Sequence, residues 1–258
     1  MAVDLFSIGK FTVHGYGLMI GLGFLIGVLL ACDKAKKKGF SADHLSSIAM
    51  CVLIIGFLGG KILFVIVNFG TFIKQPLAVL GSEGFVVYGG VITGVASIFA
   101  YCAIKKIETF EYLDLIGTYV PLVQAFGRIG CFCAGCCYGK RTDSWLGVVF
   151  PEGCFAPAGV KLYPTQLFMA IGDFIIFLCL LYYYNHKRKI PGMIAVLYLI
   201  MYSIGRFLIE FVRDDERGSV GLLSTSQFIA IFIAIAGIIL MNYINKKNSN
   251  KISDTQDA

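Results

Sequence analysis

The stretch "GRIGCFCAGCCYGK", residues 127–140, sets Arg128 and the cysteines Cys131, Cys133, Cys136 and Cys137 at the end of an apolar run. Burial of apolar surface gives no reason for that arginine. A second charged set stands in "YSIGRFLIEFVRDD", where Arg206 precedes Glu210 by four residues and Arg213 by seven, and Tyr202 lies four before Arg206. On a helix these residues share one face. Opposed by Arg128, that face makes a basic pocket. Arginine suits phosphate because its planar fork donates paired hydrogen bonds and keeps its charge. The bland alternative is a structural Arg206–Glu210 ion pair with Arg213 reaching for the interface. Lys61, in "GGKILF", is a weaker candidate, since a lone lysine can snorkel or pair.

The cysteines admit three readings. They are small packing residues; they form a redox-labile or disulfide pair on the outer face, with Cys154 as a partner; or they supply a thiolate nucleophile or soft metal ligands. Cys32, Cys51, Cys102 and Cys179 lie inside apolar segments and read as fillers.

What must position these residues is a membrane bundle. The 258 residues are 57% hydrophobic and 15% charged, against about a quarter charged in soluble domains. A spanning helix needs roughly 20 mostly apolar residues, and residues 13–32, 46–67, 85–104, 113–132, 165–184, 193–211 and 227–243 qualify. They do not alternate as barrel strands would. The expected fold is an all-α integral membrane protein, a bundle of about seven transmembrane helices: one polytopic domain over 1–245 and a polar, disordered cytoplasmic tail over 246–258. The opening "MAVDLFSIGKF" lacks the basic region of a cleaved signal, so the first span is expected to stay.

The net charge of +6 sits in short clusters between spans. That argues against a nucleic-acid partner and for membrane loops. Lys34, Lys36, Lys37 and Lys38, then Lys105 and Lys106, then Lys187, Arg188 and Lys189, then Lys246, Lys247 and Lys251 fall on one side of a seven-span chain. The positive-inside rule makes that side cytoplasmic, with the N-terminus outside. The arginine pocket then faces the outer leaflet, where a phospholipid head group is the available phosphate. The long loop 139–164 lies on the same face. "VVYGGVITG" places Tyr88 before Gly89 and Gly90, glycines that admit a lipid or another backbone. "HGYGLMIGLGF" places His14 and Tyr16 at the first span's outer start. Both tyrosines are otherwise ordinary members of an aromatic belt.

Taken in order, "HGYGLMIGLGF", "VVYGGVITG", "GRIGCFCAGCCYG", "YPTQLF" and "YSIGRFLIEFVRDD" resemble the bacterial prolipoprotein diacylglyceryl transferases over nearly the whole membrane portion. The resemblance implies an enzyme of the bacterial cytoplasmic membrane. It implies transfer of a diacylglyceryl group from phosphatidylglycerol to the lipobox cysteine thiol in a preprolipoprotein signal peptide, giving a thioether and glycerol phosphate. The resemblance implies no cofactor or metal. Arg128 and Arg206 carry over as the phosphate-binding and catalytic arginines, and Glu210 and Arg213 follow the second. Tyr16 and Tyr202 match motif tyrosines. Tyr88 joins the catalytic set by position, and Gly89 and Gly90 the lipid-binding set.

The chain also departs from the pattern. Tyr88 stands where the family has histidine. Cys131, Ala134 and Cys136 replace two asparagines and an acid, and Met169 replaces the acid trailing "YPTQLF". A free tyrosine, with a pKa of about 10, is a poor base near neutrality. Two alternatives therefore stay open: a lipid transferase with another acceptor, and a non-enzymatic lipid or anion transporter. A transporter should place its site near the midplane, between broken helices; here the charges gather at one end.

Overall fold

The computed structural model describes residues 4–8, 11–82, 84–214, 218–221 and 223–256. Six helices are long and apolar enough to cross a bilayer: α1 (Gly15–Lys37), α2 (Ala42–Val67), α5 (Val87–Lys105), α6 (Thr109–Ala134), α7 (Thr165–His186) and α9 (Thr225–Gln256). The seventh, α8 (Met193–Ile209), has 17 residues and rises about 26 Å. These helices fall on the seven apolar runs of the sequence, and the chain is an all-α membrane protein. Their outer faces confirm the setting. Phe57, Ile62, Ile66, Ile104 and Ile239 are all exposed, an apolar surface that fits lipid and not water.

Between the spans lie elements too short for periodicity to reveal. Strands β1 (Asp4–Ile8) and β2 (Phe11–His14) form an antiparallel hairpin, as do β3 (Val148–Val149) with β4 (Lys161–Leu162) and β5 (Ser219–Val220) with β6 (Leu223–Ser224). Two short helices, α3 (Phe69–Lys74) and α4 (Pro76–Gly81), follow α2. Helix α9 continues through Lys246 and Lys247 to Gln256, where composition alone suggests disorder.

The backbone divides into two compact units. One is Leu30–Leu113; the other joins Met1–Leu29 to Asp114–Ala258. In the first, α2 and α5 meet along small residues, the usual way for membrane helices to approach closely. A Cβ at Gly90 would stand 3.0 Å from the Gly56 carbonyl oxygen, and Thr93 Oγ1 donates to Ile55 O at 3.1 Å. Lys61 is held locally: its Nζ donates to Ser82 O at 2.6 Å and Gly84 O at 3.3 Å.

In the larger unit, α1 rests on α6 where Gly130 admits the backbone of Tyr16; a Cβ there would lie 3.0 Å from Tyr16 O. At the other end of α6, the fully buried Asp114 caps the start of α8. Its carboxylate accepts from Arg188 Nε (2.8 Å), Gly192 N (2.8 Å), Ile194 N (3.0 Å) and Ala195 N (3.2 Å). The first amides of a helix have no partner within it and favour a negative charge, so this carboxylate ties the α7–α8 turn to α6.

Candidate active site

The site is built on the end of α6. Gly135 takes a left-handed conformation (φ +72°), which glycine adopts without steric cost. Its amide donates to Phe132 O at 3.2 Å, and the Cys136 amide donates to Cys131 O at 3.2 Å. This is the Schellman closure of a helix, which brings the residue after the glycine back over the last turn. Cys136 therefore lies against Cys131. Cys137 is itself left-handed (φ +63°), a conformation costing a non-glycine residue about 1–3 kcal/mol.

The neighbouring chain holds that turn in place. At the start of α7, the buried Thr165 donates from Oγ1 to Cys137 O and the buried Gln166 donates from Nε2 to Cys136 O, both at 2.6 Å. The Phe155 amide donates to Ala134 O at 3.3 Å. The three sulfurs of Cys131, Cys136 and Cys137 lie within 4.8 Å of one another, and none of the nine cysteines is joined in a disulfide. Hydrogen bonds from Cys131 and Cys136, with Arg213 adding its charge, hold the Cys137 thiol below the ordinary range. The hydrogen bonds with Cys131 and Cys137 push Cys136 the other way.

Gly135→Ala is expected to destabilise the protein. It forces alanine into a left-handed conformation, at about 1–2 kcal/mol, and sets its Cβ 2.6 Å from the Cys154 Cβ. Thermal unfolding in detergent should show a lowered midpoint, and an unchanged midpoint would contradict this account of the turn.

Arg128 and Arg213 lie beside the turn, and Arg206 lines a neighbouring cleft. Arg128, on α6, lies within electrostatic reach of Tyr202, Cys131, Asp173 and Cys137, and Tyr16 lies within reach of Arg128 and the cysteines. Arg206 is fixed on two sides. Nη1 pairs with Glu210 Oε2 at 2.7 Å, and Nη2 donates to Ser226 Oγ at 2.8 Å. Tyr202 stacks on Tyr198 with ring centroids 5.8 Å apart, and Tyr198 OH donates to Gln124 Oε1 at 2.7 Å.

Arg213 does not extend the helical face that the spacing suggests. Helix α8 ends at Ile209 with Glu210 as its C-cap. Beyond it the chain pairs with the loop after α6: Gly139 bridges Arg213, and the Lys140 amide donates to Val212 O at 2.9 Å. That pairing turns Arg213 inward, where it is buried and donates from Nη1 to Met169 Sδ at 3.6 Å. The thioether thus occupies the position that the motif gives to an acid.

Asp173 lies outside the motifs that carry the resemblance. It lies one helical turn beyond Met169 on α7, is buried, and has an Oδ2 with no hydrogen-bond partner among the described residues. A cleft of about 250 Å³ opens beside it, lined by Met169, Asp173, Tyr202 and Arg206 among others. Asp173 is the one charged residue in the run 165–184, and an ionisable group in a span is a functional candidate by default.

Tyr88, Gly89 and Gly90 belong to the smaller unit, at the start of α5. Tyr88 is exposed. The space beside the two glycines is taken by α2: a Cβ at Gly89 would stand 2.5 Å from Gly59 O. Of the two uses their sequence allows, close approach of another backbone is the one seen.

The chain matches the family described as prolipoprotein diacylglyceryl transferase over residues 4–243. It is 47% identical to phosphatidylglycerol–prolipoprotein diacylglyceryl transferase 2 of Clostridium perfringens, over 97% of this chain and 98% of the relative. It is 45% identical to the phosphatidylglycerol–prolipoprotein diacylglyceryl transferase of Clostridium tetani, over 92% and 96%. Identity to that of Clostridioides difficile is 33%, over 98% of each.

Proposed function

The chain belongs to the prolipoprotein diacylglyceryl transferase family, and from that premise we propose how its residues carry out the transfer. The enzyme moves the diacylglyceryl group of phosphatidylglycerol to the lipobox cysteine thiol of a preprolipoprotein. A carbon–sulfur bond forms, the carbon–oxygen bond to phosphate breaks, and glycerol phosphate leaves. The observation that carries this assignment of roles is the cleft between α7 and α8, with Arg206 and an unpartnered Asp173 oxygen in its wall.

Negative charge grows on the departing phosphate. Arg206 is a fixed cation in the cleft wall and Arg128 lies within electrostatic reach of Tyr202 and Asp173 there; preorganised charge of this kind is commonly the largest catalytic contribution. Glu210 and Ser226 set the plane of Arg206, so its donors need no reorganisation when the substrate arrives. Arg213 supports the same charge from the cysteine turn, and Tyr16 and Tyr202 border the lipid. Asp173 accepts from the glycerol hydroxyls of the head group, which a choline or ethanolamine lipid lacks. Tyr88, Gly89 and Gly90 enter this reading only through the motif they occupy.

The protein is a multi-pass membrane protein. The four basic clusters support, by the positive-inside rule, an orientation with the N-terminus outside, the C-terminus in the cytoplasm and the cleft towards the outer leaflet.

The test is release of glycerol phosphate from phosphatidylglycerol vesicles. It should require a lipobox peptide and fail with a peptide whose cysteine is serine; release that ignores the thiol would make the chain a lipase instead. Arg206→Lys keeps the charge and loses the planar fork. It is expected to slow release on the order of tenfold, or about 1.4 kcal/mol, and a wild-type rate in that variant would remove Arg206 from the phosphate. Asp173→Ala is expected to narrow the preference for phosphatidylglycerol over phosphatidylethanolamine.

A further inference from the structure

Cys131 lies in the last turn of α6 and Cys136 and Cys137 follow its end, and their sulfurs converge to within 4.8 Å of one another. A tetrahedral zinc–thiolate bond of about 2.3 Å requires sulfurs only about 3.8 Å apart. The observed separations exceed that by at most about 1 Å. The convergence is imposed by the fold. The Schellman closure seats Cys136 over Cys131, and the left-handed backbone at Cys137 turns its sulfur the same way. The clamp from Thr165 and Gln166 keeps the turn in that strained form. The left-handed Cys137 is held through its carbonyl by Thr165, and its neighbour Cys136 by Gln166.

Charge points the same way. Three thiolates and one divalent cation sum to minus one, and a fourth thiolate makes minus two. Arg213 touches Cys137, and Arg128 lies within electrostatic reach of Cys131 and Cys137. Two guanidinium groups balance that charge. Three protein ligands with one position left for substrate is the pattern of a catalytic zinc site, whereas structural sites take four.

We propose that Cys131, Cys136 and Cys137 bind one thiophilic d10 cation of the zinc type, and that the acceptor cysteine takes its fourth position as a thiolate. The proposal rests on the reading of the chain as a transferase to a thiol. It supplies what that reaction needs at the sulfur. A coordinated thiol gives up its proton, here to water. The sulfur pair then attacks the diacylglyceryl carbon, and the carbon–oxygen bonding pair leaves on the phosphate beside Arg128. Nothing is oxidised or reduced. The cation returns to three ligands when the thioether departs.

The test uses the reduced, chelator-stripped full-length protein in nanodiscs and Cd2+ as the spectroscopic probe. One equivalent of Cd2+ should produce the ultraviolet sulfur-to-cadmium charge-transfer band with the intensity of three thiolates. Adding a lipobox peptide should raise it to four, and a peptide with serine for cysteine should not. Cys136→Ser and Cys137→Ser should each weaken the band and the Cd2+ affinity, while Cys179→Ser, exposed elsewhere on α7, should leave both unchanged. In the transfer assay, stripped protein should lose activity and recover it with Zn2+. No band in the wild type overturns the site. A band that ignores the peptide, or full transfer by the stripped protein, overturns the role of the fourth position. Failure of the transferase reading looks different: zinc-loaded wild type would form no product, whatever the Cd2+ spectrum shows.

Discussion

Arg128→Ala is expected to lower the rate of diacylglyceryl transfer by on the order of 10²–10³-fold, the loss that follows removal of one preorganised donor to a developing anion. Arg128 is placed so that Tyr202, Asp173 and the cysteine turn all feel its charge. Its removal takes a cation from the departing phosphate and leaves the bulk of α6 unchanged. Thermal unfolding should therefore move little while product formation collapses. Arg128→Lys restores charge without the fork and should recover only part of the rate. A variant that unfolds would show a structural arginine, and one that transfers normally would show that the phosphate lies elsewhere.

The second large effect concerns folding. Asp114→Ala removes a fully buried carboxylate that accepts four hydrogen bonds, one from Arg188 and three from the amides that open α8. Breaking a buried ion pair by deleting one partner costs about 3–5 kcal/mol, because the remaining charge has lost its compensation. The variant should unfold at a clearly lower temperature in detergent and accumulate poorly in membranes. Asp114→Asn keeps acceptor capacity without charge and should fall between the two. Equal stability of all three proteins would mean that the α7–α8 turn is held by other contacts.

Much of this architecture is legible from apolar run length, since the bilayer sets how long a helix must be and forbids unpaired backbone inside it. Helix ends are less legible. The spacing of Arg206, Glu210 and Arg213 fits one helical face, but α8 stops at Ile209 because the chain beyond it pairs with the loop at Gly139. That pairing joins residues far apart in sequence, and no local pattern announces it. The convergence of the cysteines is partly local: "AGC" after an apolar run is a helix stop that folds its next residue back. That the sulfurs form a triangle also depends on Thr165 and Gln166, which arrive from the far end of a long loop. Asp173 was open to the same rule that singled out Arg128, the cost of an ionisable group inside a span. Asp114, near the start of the fourth run, was equally open to it.

The most direct test of the account is the intact mass of a lipobox peptide after incubation with the enzyme in phosphatidylglycerol nanodiscs. The account predicts a gain equal to one diacylglyceryl group, on sulfur as a thioether, matched by one glycerol phosphate released and absent with Arg128→Ala. An unmodified peptide from a folded enzyme that still binds phosphatidylglycerol would contradict it.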